Sequence, residues 1–289
     1  MKIMFIDFMK HRRAALLVSL VCVVASIGLV FTKGLNLGID FTGGNVVQVE
    51  FAQGVSVGDV RDVLASVGQG NAVIQSYSDI GFIIRISANE DEARKMVVDA
   101  LRAKYSDMKT VRLEKVGPVV GAELRKEAFV ALFLALAGIL AYITVRFQFR
   151  FAVVSVLALM HDAIITLGVF SLTGMEISSS FIAEILTIVG YSLNDTIVVL
   201  DRVRENWKTL RGNGMLALLN NSINETISRT INTSMTTLLP VIALFLWGGP
   251  VLRSFSFALL IGITVGTYSS IYIASGVLAE WWIKAPQKA

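Results

Sequence analysis

Six stretches of this chain run for 17 or more residues with little or no charge, and no other feature restricts its fold so strongly. An α-helix of about 17–25 apolar residues crosses a hydrocarbon core of about 30 Å, whereas helices buried in a soluble core need apolar runs of only roughly 10–14. A soluble protein with buried core helices therefore does not fit. The runs are Ala14–Phe31, Ala128–Val145, Phe151–Leu172, Phe181–Leu200, Ile231–Trp247 and Phe255–Ala279. Composition agrees: 17% of residues are charged, against about a quarter in a soluble domain. Lys10, His11, Arg12 and Arg13 precede the first run, as in a secretory signal peptide. No convincing small-x-small cleavage site follows and five more spans come later, so a retained signal-anchor helix is the better reading.

Basic residues set the orientation. The N-terminus, the Arg146–Arg150 loop, the Asp201–Thr230 segment and the C-terminal tail together hold 13 Lys and Arg, while the turns near Thr173–Ser180 and Gly248–Ser254 hold one, Arg253. Cytoplasmic loops concentrate Lys and Arg. Both termini are therefore expected in the cytoplasm and the large insert between the first two spans outside it. The net charge of +4 follows from topology and gives no sign of a nucleic-acid partner. The expected organisation is a cytoplasmic N-terminus (1–13), a first transmembrane helix (14–33), an extracytoplasmic domain (34–124) and a five-helix transmembrane bundle (125–289). Cys22, the single cysteine, lies in the first run, and nothing near it resembles a metal site.

The insert, Asn36–Glu123, holds 9 basic and 12 acidic residues. Asn45–Phe51 alternates with the period of a strand. Ser56–Ser66 predicts a helix with Ser56 as N-cap and Asp59 at the third helical position. Asn71–Tyr77 and Gly81–Ser87 are short β-rich runs around a Ser-Asp turn. Asn89–Tyr105 predicts a helix with Glu90, Asp91 and Glu92 in its first turn, and Thr110–Val116 a last strand. The order is β-α-β-β-α-β, the ferredoxin-like split βαβ. The whole chain is thus a polytopic α-helical membrane protein of six transmembrane helices with a ferredoxin-like α+β domain outside the membrane. The insert has no His, no Cys and no phosphate-binding loop, so it reads as a domain that binds or moves, not as an enzyme.

The chemistry lies in charges that a bilayer disfavours. An ionised side chain at mid-membrane costs roughly 2.5–3.5 kcal/mol on insertion scales. Asp162, beside His161, falls mid-way along the third run; Asp195, beside Asn194, falls in the inner half of the fourth; Glu184 lies near that run's outer end. Glu184, Ile188, Tyr191 and Asp195 follow helical spacing and are expected on one face, turned into a bundle or a wet cavity. For Asp195 three readings stand: a proton-relay carboxylate, an acid that glues helices, or half of an intramembrane aspartyl-protease pair with Asp162. The glycine-flanked Asp motif of the last class is absent. His161–Asp162 reads either as a relay or as a hydrogen-bonded packing device. Arg229 opens the fifth run after the amphipathic segment Met215–Ser228, as a positive-inside anchor or a switchable partner for Asp195. Gly262-x-x-x-Gly266 in the sixth run is a helix-packing motif, which with the polar stripe is expected to need a partner subunit to bury it.

In this order and topology several motifs resemble one family. They are Gly38–Gly44 (GIDFTGG) after the first run, His161–Gly168 (HDAIITLG), Gly190–Val199 (GYSLNDTIVV), Asp201–Asn206 (DRVREN) and Ser228–Thr230 (SRT). They are similar to the SecF family, the smaller membrane subunits of the bacterial SecD–SecF complex, within the RND superfamily. The resemblance covers nearly the whole chain and implies a pairing with SecD beside the SecYEG translocon in the bacterial inner membrane. SecA, YajC and YidC are further implied partners, and exported preproteins the cargo. It implies no enzyme activity and no cofactor: ATP is used by SecA, and the coupling ion is a proton, with sodium as the alternative that Asn and hydroxyl oxygens beside the carboxylate also allow. Asp195 matches the proton-path Asp and Arg229 the essential Arg near it. Glu184 departs from the small or apolar residue usual in relatives. The acid that many relatives carry after Gly248-Gly249 is missing from Pro250–Ser254, where Glu184 could partly replace it. The Gly38–Gly44 motif needs no ligand, since a tight exit from the membrane explains its glycines.

The competing functions are a half-size RND-like proton-coupled exporter of lipids or small hydrophobic molecules, and a structural scaffold. An exporter should contain a cavity of substrate size; a scaffold should tolerate Asp195→Asn.

Overall fold

A computed structural model of the chain describes residues 5–86, 91–210 and 214–284. Asn89 and Glu90, expected at the start of a helix, lie outside the described residues. The elements run α1 (Arg12–Thr32), α2 (Ile39–Thr42), β1 (Gly44–Glu50), α3 (Val57–Ser66), β2 (Val73–Ser76), β3 (Gly81–Ile86), α4 (Asp91–Lys104), β4 (Lys109–Val116), α5 (Pro118–Arg146), α6 (Phe149–Thr173), α7 (Ser180–Leu210), α8 (Met215–Trp247), α9 (Gly249–Ser269), a π-helical turn (Ser270–Ala274) and α10 (Ser275–Lys284). Two compact units result, residues 37–130 and the remainder.

Six helical segments among the described residues are long and apolar enough to span a membrane, so this is a multi-pass membrane protein. The helices outrun their apolar stretches. α7 continues from Leu200 to Leu210, and α8 joins the amphipathic segment from Met215 to the fifth apolar run without a break. Arg229 therefore lies near the middle of a 33-residue helix, just before its apolar stretch begins. The polar ends of α7 and α8 are clasped together. Glu225 accepts hydrogen bonds from Arg202 Nε (2.5 Å) and Asn206 Nδ2 (2.7 Å), which gives the Asp201–Asn206 motif a bracing role.

Small residues bring the helices close. A Cβ on Gly168 of α6 would sit 2.7 Å from the Cα of Ser26 in α1, and one on Gly262 would sit 2.3 Å from Ile188 in α7. Gly266 meets Ser192 in the same way. The GxxxG motif of α9 is thus buried against α7 of its own chain, and the expectation that it awaits a partner subunit is corrected. The reason is local: the fourth and sixth runs are neighbours inside the bundle, so the motif's flat face is already covered.

In the second unit, the strands form one antiparallel sheet in the order β2-β3-β1-β4. With α3 and α4 this is the βαββαβ order expected. Val47, Val49 and Phe51 alternate onto the face that meets Val60 and Leu64 of α3 and Val97 and Leu101 of α4, all nearly inaccessible to solvent. Each such side chain contributes about 1.5–3 kcal/mol by leaving water. The GIDFTGG motif makes the single turn α2 and ends it with Gly43 at φ 72°, ψ 167°, a region only glycine occupies without strain. The start of α5 packs on that turn: Arg125 hydrogen-bonds the Phe41 carbonyl oxygen, and Gly121 leaves room for the approach. The motif is accounted for as structure.

Ser56 caps α3 as expected, and the cap is reciprocal: Asp59 N–H donates to Ser56 Oγ (3.1 Å) while the Asp59 carboxylate accepts from Ser56. The Ser56 hydrogen bonds hold the Asp59 carboxyl below its ordinary value, and a hydrogen bond from Lys115 does the same for Asp91 at the start of α4. A lowered carboxyl contributes stability that is present above the unfolded value of about 3.9 and is lost as pH falls through the folded one. Ser56→Ala should lower the stability of this unit by about 1 kcal/mol and weaken its loss of stability below pH ~4. Urea melts at neutral and acid pH check both; an unchanged acid profile would show that the cap does not link to pH.

Candidate functional site

The buried polar groups of the bundle gather where α6, α7 and α9 meet. Asp195 lies on the inward face of α7 and is only 6% exposed. Among the described residues its single hydrogen-bond contact is from Ser234 Oγ of α8 at 3.4 Å, long for a hydroxyl donor. Ser234 is also engaged with the Thr230 carbonyl at 2.9 Å and Thr267 Oγ1 of α9 at 2.6 Å. A hydroxyl has one proton to give, so Asp195 receives at most a shared donor. Around it opens a crevice lined by Tyr191, Ser192, Asp195, Thr233, Ser234, Ile263 and Thr267, with room for about one water molecule. A carboxylate with so few fixed partners can take up or release a proton without a network having to break.

Asp162 is set differently. At 1% exposure, its Oδ2 accepts from Ser192 Oγ (2.6 Å) and Ser269 Oγ (2.8 Å), and its Oδ1 lies 2.9 Å from His161 Nδ1. The π-helical turn after α9 helps to separate two consecutive hydroxyls: Ser269 reaches Asp162 on α6, while Ser270 Oγ lies 2.8 Å from Thr196 Oγ1 on α7. The two aspartates share no hydrogen bond. Each has its own partners, which does not make the shared-proton pair of an aspartyl protease.

The remaining candidates are scattered. Arg229 is exposed and, among the described residues, forms no ion pair with Asp195. It sits one turn before Thr233, whose Oγ1 bonds the Arg229 carbonyl at 2.5 Å and which lines the Asp195 crevice. Glu184 is buried in the first turns of α7, with Oε1 accepting from Ser180 Oγ (2.9 Å) and Oε2 without a hydrogen-bond partner among the described residues. It lies 11 residues, hence about 16 Å, along the helix from Asp195. The expected single stripe divides: Glu184, Ile188 and Asp195 face inward, while Tyr191 is 40% exposed and lines an open groove with Thr187, Gly190 and Asn194. The helices beside α7 decide which of these positions is covered, since the spacing alone leaves all four within about 60° of one another. The hydroxyls Ser234, Thr267, Ser269 and Ser270 escaped sequence reasoning, although the Gly266–Ser270 stretch (GTYSS) shows their density. Among the described residues no cluster of three or more His, Cys, Asp or Glu could hold a metal ion.

Comparison with known proteins gives the family context. Residues 96–284 match the family described as protein export membrane protein SecD/SecF, C-terminal, and residues 28–55 match the SecD/SecF GG motif. The chain is 46% identical over 288 residues to the protein translocase subunit SecF of Desulfurispirillum indicum, covering 96% of this chain and 92% of that one. It is 42% identical over 284 residues to the protein translocase subunit SecDF of Thermus thermophilus, covering 95% of this chain and 38% of the relative. The crystal structure of SecDF from Thermus thermophilus, a translocon-associated membrane protein, superposes with a TM-score of 0.91 over 98% of this chain and 39% of that one.

Proposed function

Since the chain belongs to the SecD/SecF family of protein export membrane proteins, we propose that it serves as a SecF subunit of a protein translocase and couples the proton-motive force to the completion of export. The observation that carries the coupling step is Asp195, buried within a membrane helix with one long hydrogen bond and a water-sized crevice beside it. An ionisable group placed there marks an ion path. Arg229 is the partner that a shift of α8 would bring towards the carboxylate, because the same helix already lines the crevice through Thr233. Moving an opposite charge closer or further favours the ionised or the neutral acid in turn. The proton is the coupling ion, with sodium the alternative. Glu184, by its position near the outer end of the same helix, belongs to the entry side of the path.

SecD is the expected partner. The SecDF relative carries a SecF-like part as 38% of a longer polypeptide. The groove of Tyr191 and Asn194 exposes polar side chains at membrane depth, where lipid would not satisfy them. In this reading the protein lies in the bacterial inner membrane with both termini cytoplasmic and the βαββαβ unit outside, an orientation that the basic residues of its connections support, and it works with SecYEG, SecA, YajC, YidC and exported preproteins. Inverted vesicles depleted of the chain and then restored with it test the reading. Restored vesicles should export faster when a proton gradient is imposed, and depleted ones should not. Equal acceleration in both would end it.

A further inference from the structure

We propose that the His161–Asp162 pair is a second proton-holding centre of the bundle, exchanging with the Asp195 crevice through the hydroxyl of Ser192; this rests on Asp195 being the gradient-linked acid. With His161 neutral and Asp162 ionised, the pair carries one negative charge inside the bundle. One added proton on either partner makes it neutral overall, so the pair as a unit stores one proton. A histidine kept only for packing would have both ring nitrogens satisfied. Here Nδ1 meets Asp162, while Nε2 is buried and has no hydrogen-bond partner among the described residues. Nothing outside the pair therefore fixes which nitrogen carries the proton.

Ser192 is the connection. Its hydroxyl lies 2.6 Å from Asp162 Oδ2, and the same residue lines the crevice that holds Asp195. Among the described residues, His161 is the titratable side chain in contact with Asp162. α7 contributes the Ser192 hydroxyl and α9 the Ser269 hydroxyl. α1 faces α6 through Ser26 at Gly168, and among the described residues no Lys or Arg forms an ion pair with Asp162. Asp195 and Glu184 are the acids on α7 that face inward. The transfer involves protons alone. A water in the crevice gives a proton to Ser192 Oγ as the serine's own hydroxyl proton passes to Asp162 Oδ2, and the water regains one from Asp195. The reverse order returns it.

The test uses the chain with its SecD-type partner in proteoliposomes under an imposed pH gradient, with an internal pH dye as the readout. Ser192→Ala and Asp162→Asn are expected to slow proton uptake about tenfold or more, whereas Ser269→Ala stays within about twofold of wild type. Ser269→Ala removes a hydrogen bond of similar length to the same Asp162 oxygen but does not line the crevice. A packing role would make the two serine changes equivalent. Equal slowing by both, or by neither, overturns the proposal. Asp195→Asn run alongside separates the two ideas. Uptake intact in Asp195→Asn removes the Asp195 reading and this one with it; uptake lost there but intact in Ser192→Ala and Asp162→Asn removes the second centre alone.

Discussion

Asp195→Asn is expected to give a protein that inserts, assembles and exports at the gradient-independent rate, with no acceleration when a proton gradient is applied. The amide keeps the size of the carboxyl and can still accept from Ser234, so the α7–α8 contact survives. What it loses is the ability to gain and lose a proton. The energy at stake is large: a proton crossing about 100 mV releases about 2.3 kcal/mol, and each pH unit of gradient adds about 1.4 kcal/mol. A few protons can therefore drive a rearrangement whose end states differ by several kcal/mol, provided one group titrates in step with it. Asp195→Glu should retain part of the acceleration. So should Arg229→Lys, because the charge remains while the guanidinium geometry is lost. The measurement is export rate in inverted vesicles with and without the gradient. Asp195→Asn vesicles that accelerate like wild type would make Asp195 a structural acid.

Gly168→Ala is expected to destabilise the bundle by about 1–3 kcal/mol through overpacking. The added methyl would sit 2.3 Å from Ser26 Cβ and 2.7 Å from its Cα. A backbone atom cannot rotate aside, so α1 must move away from α6 along the whole contact. Ser26→Gly in the same protein removes the nearer atoms and should recover part of the loss, a coupling that independent sites would not show. Thermal unfolding in detergent reads both. A wild-type midpoint for the single variant would mean that the two helices are not held at this distance.

The sequence was informative wherever one residue type has one meaning at a given spacing. Runs without charge marked the six spans, because a bilayer admits few other solutions. Ser56 and Asp59 announced a helix start, to which the structure adds their reciprocal hydrogen bonds. Alternation in Asn45–Phe51 located the central strand. The site was legible only in its charges. Asp162, Asp195 and Glu184 stood out against an apolar background, and all three are buried. Their hydroxyl partners did not stand out, because Ser and Thr are common in membrane helices and bond their own backbone as readily as a neighbour. Ser234 does both. The length of α8 was obscured for a related reason: Asn220, Asn221, Ser222 and Asn224 look like a break, yet Asn220 and Asn224 hold the backbone of Phe8 and Ile6. Tyr191 turned outward because which helix lies beside α7 is a tertiary fact that no periodicity contains.

The π-helical turn at Ser270–Ala274 lets the last helix carry one extra residue without changing its phase. A π turn holds one residue more than an α turn, so it still closes a single revolution. Deleting a residue there would heal the helix and leave everything beyond Ser275 close to its present setting. Glu280 would stay beside Arg12, now 3.0 Å away. Trp282 would stay against the rings of Trp207 and Phe151, at centroid distances of 4.9 and 5.7 Å. The extra residue thus works like a slack link in a taut chain: it changes the spacing of the hydroxyls that meet Asp162 and Thr196, while the aromatic anchor beyond it holds its place.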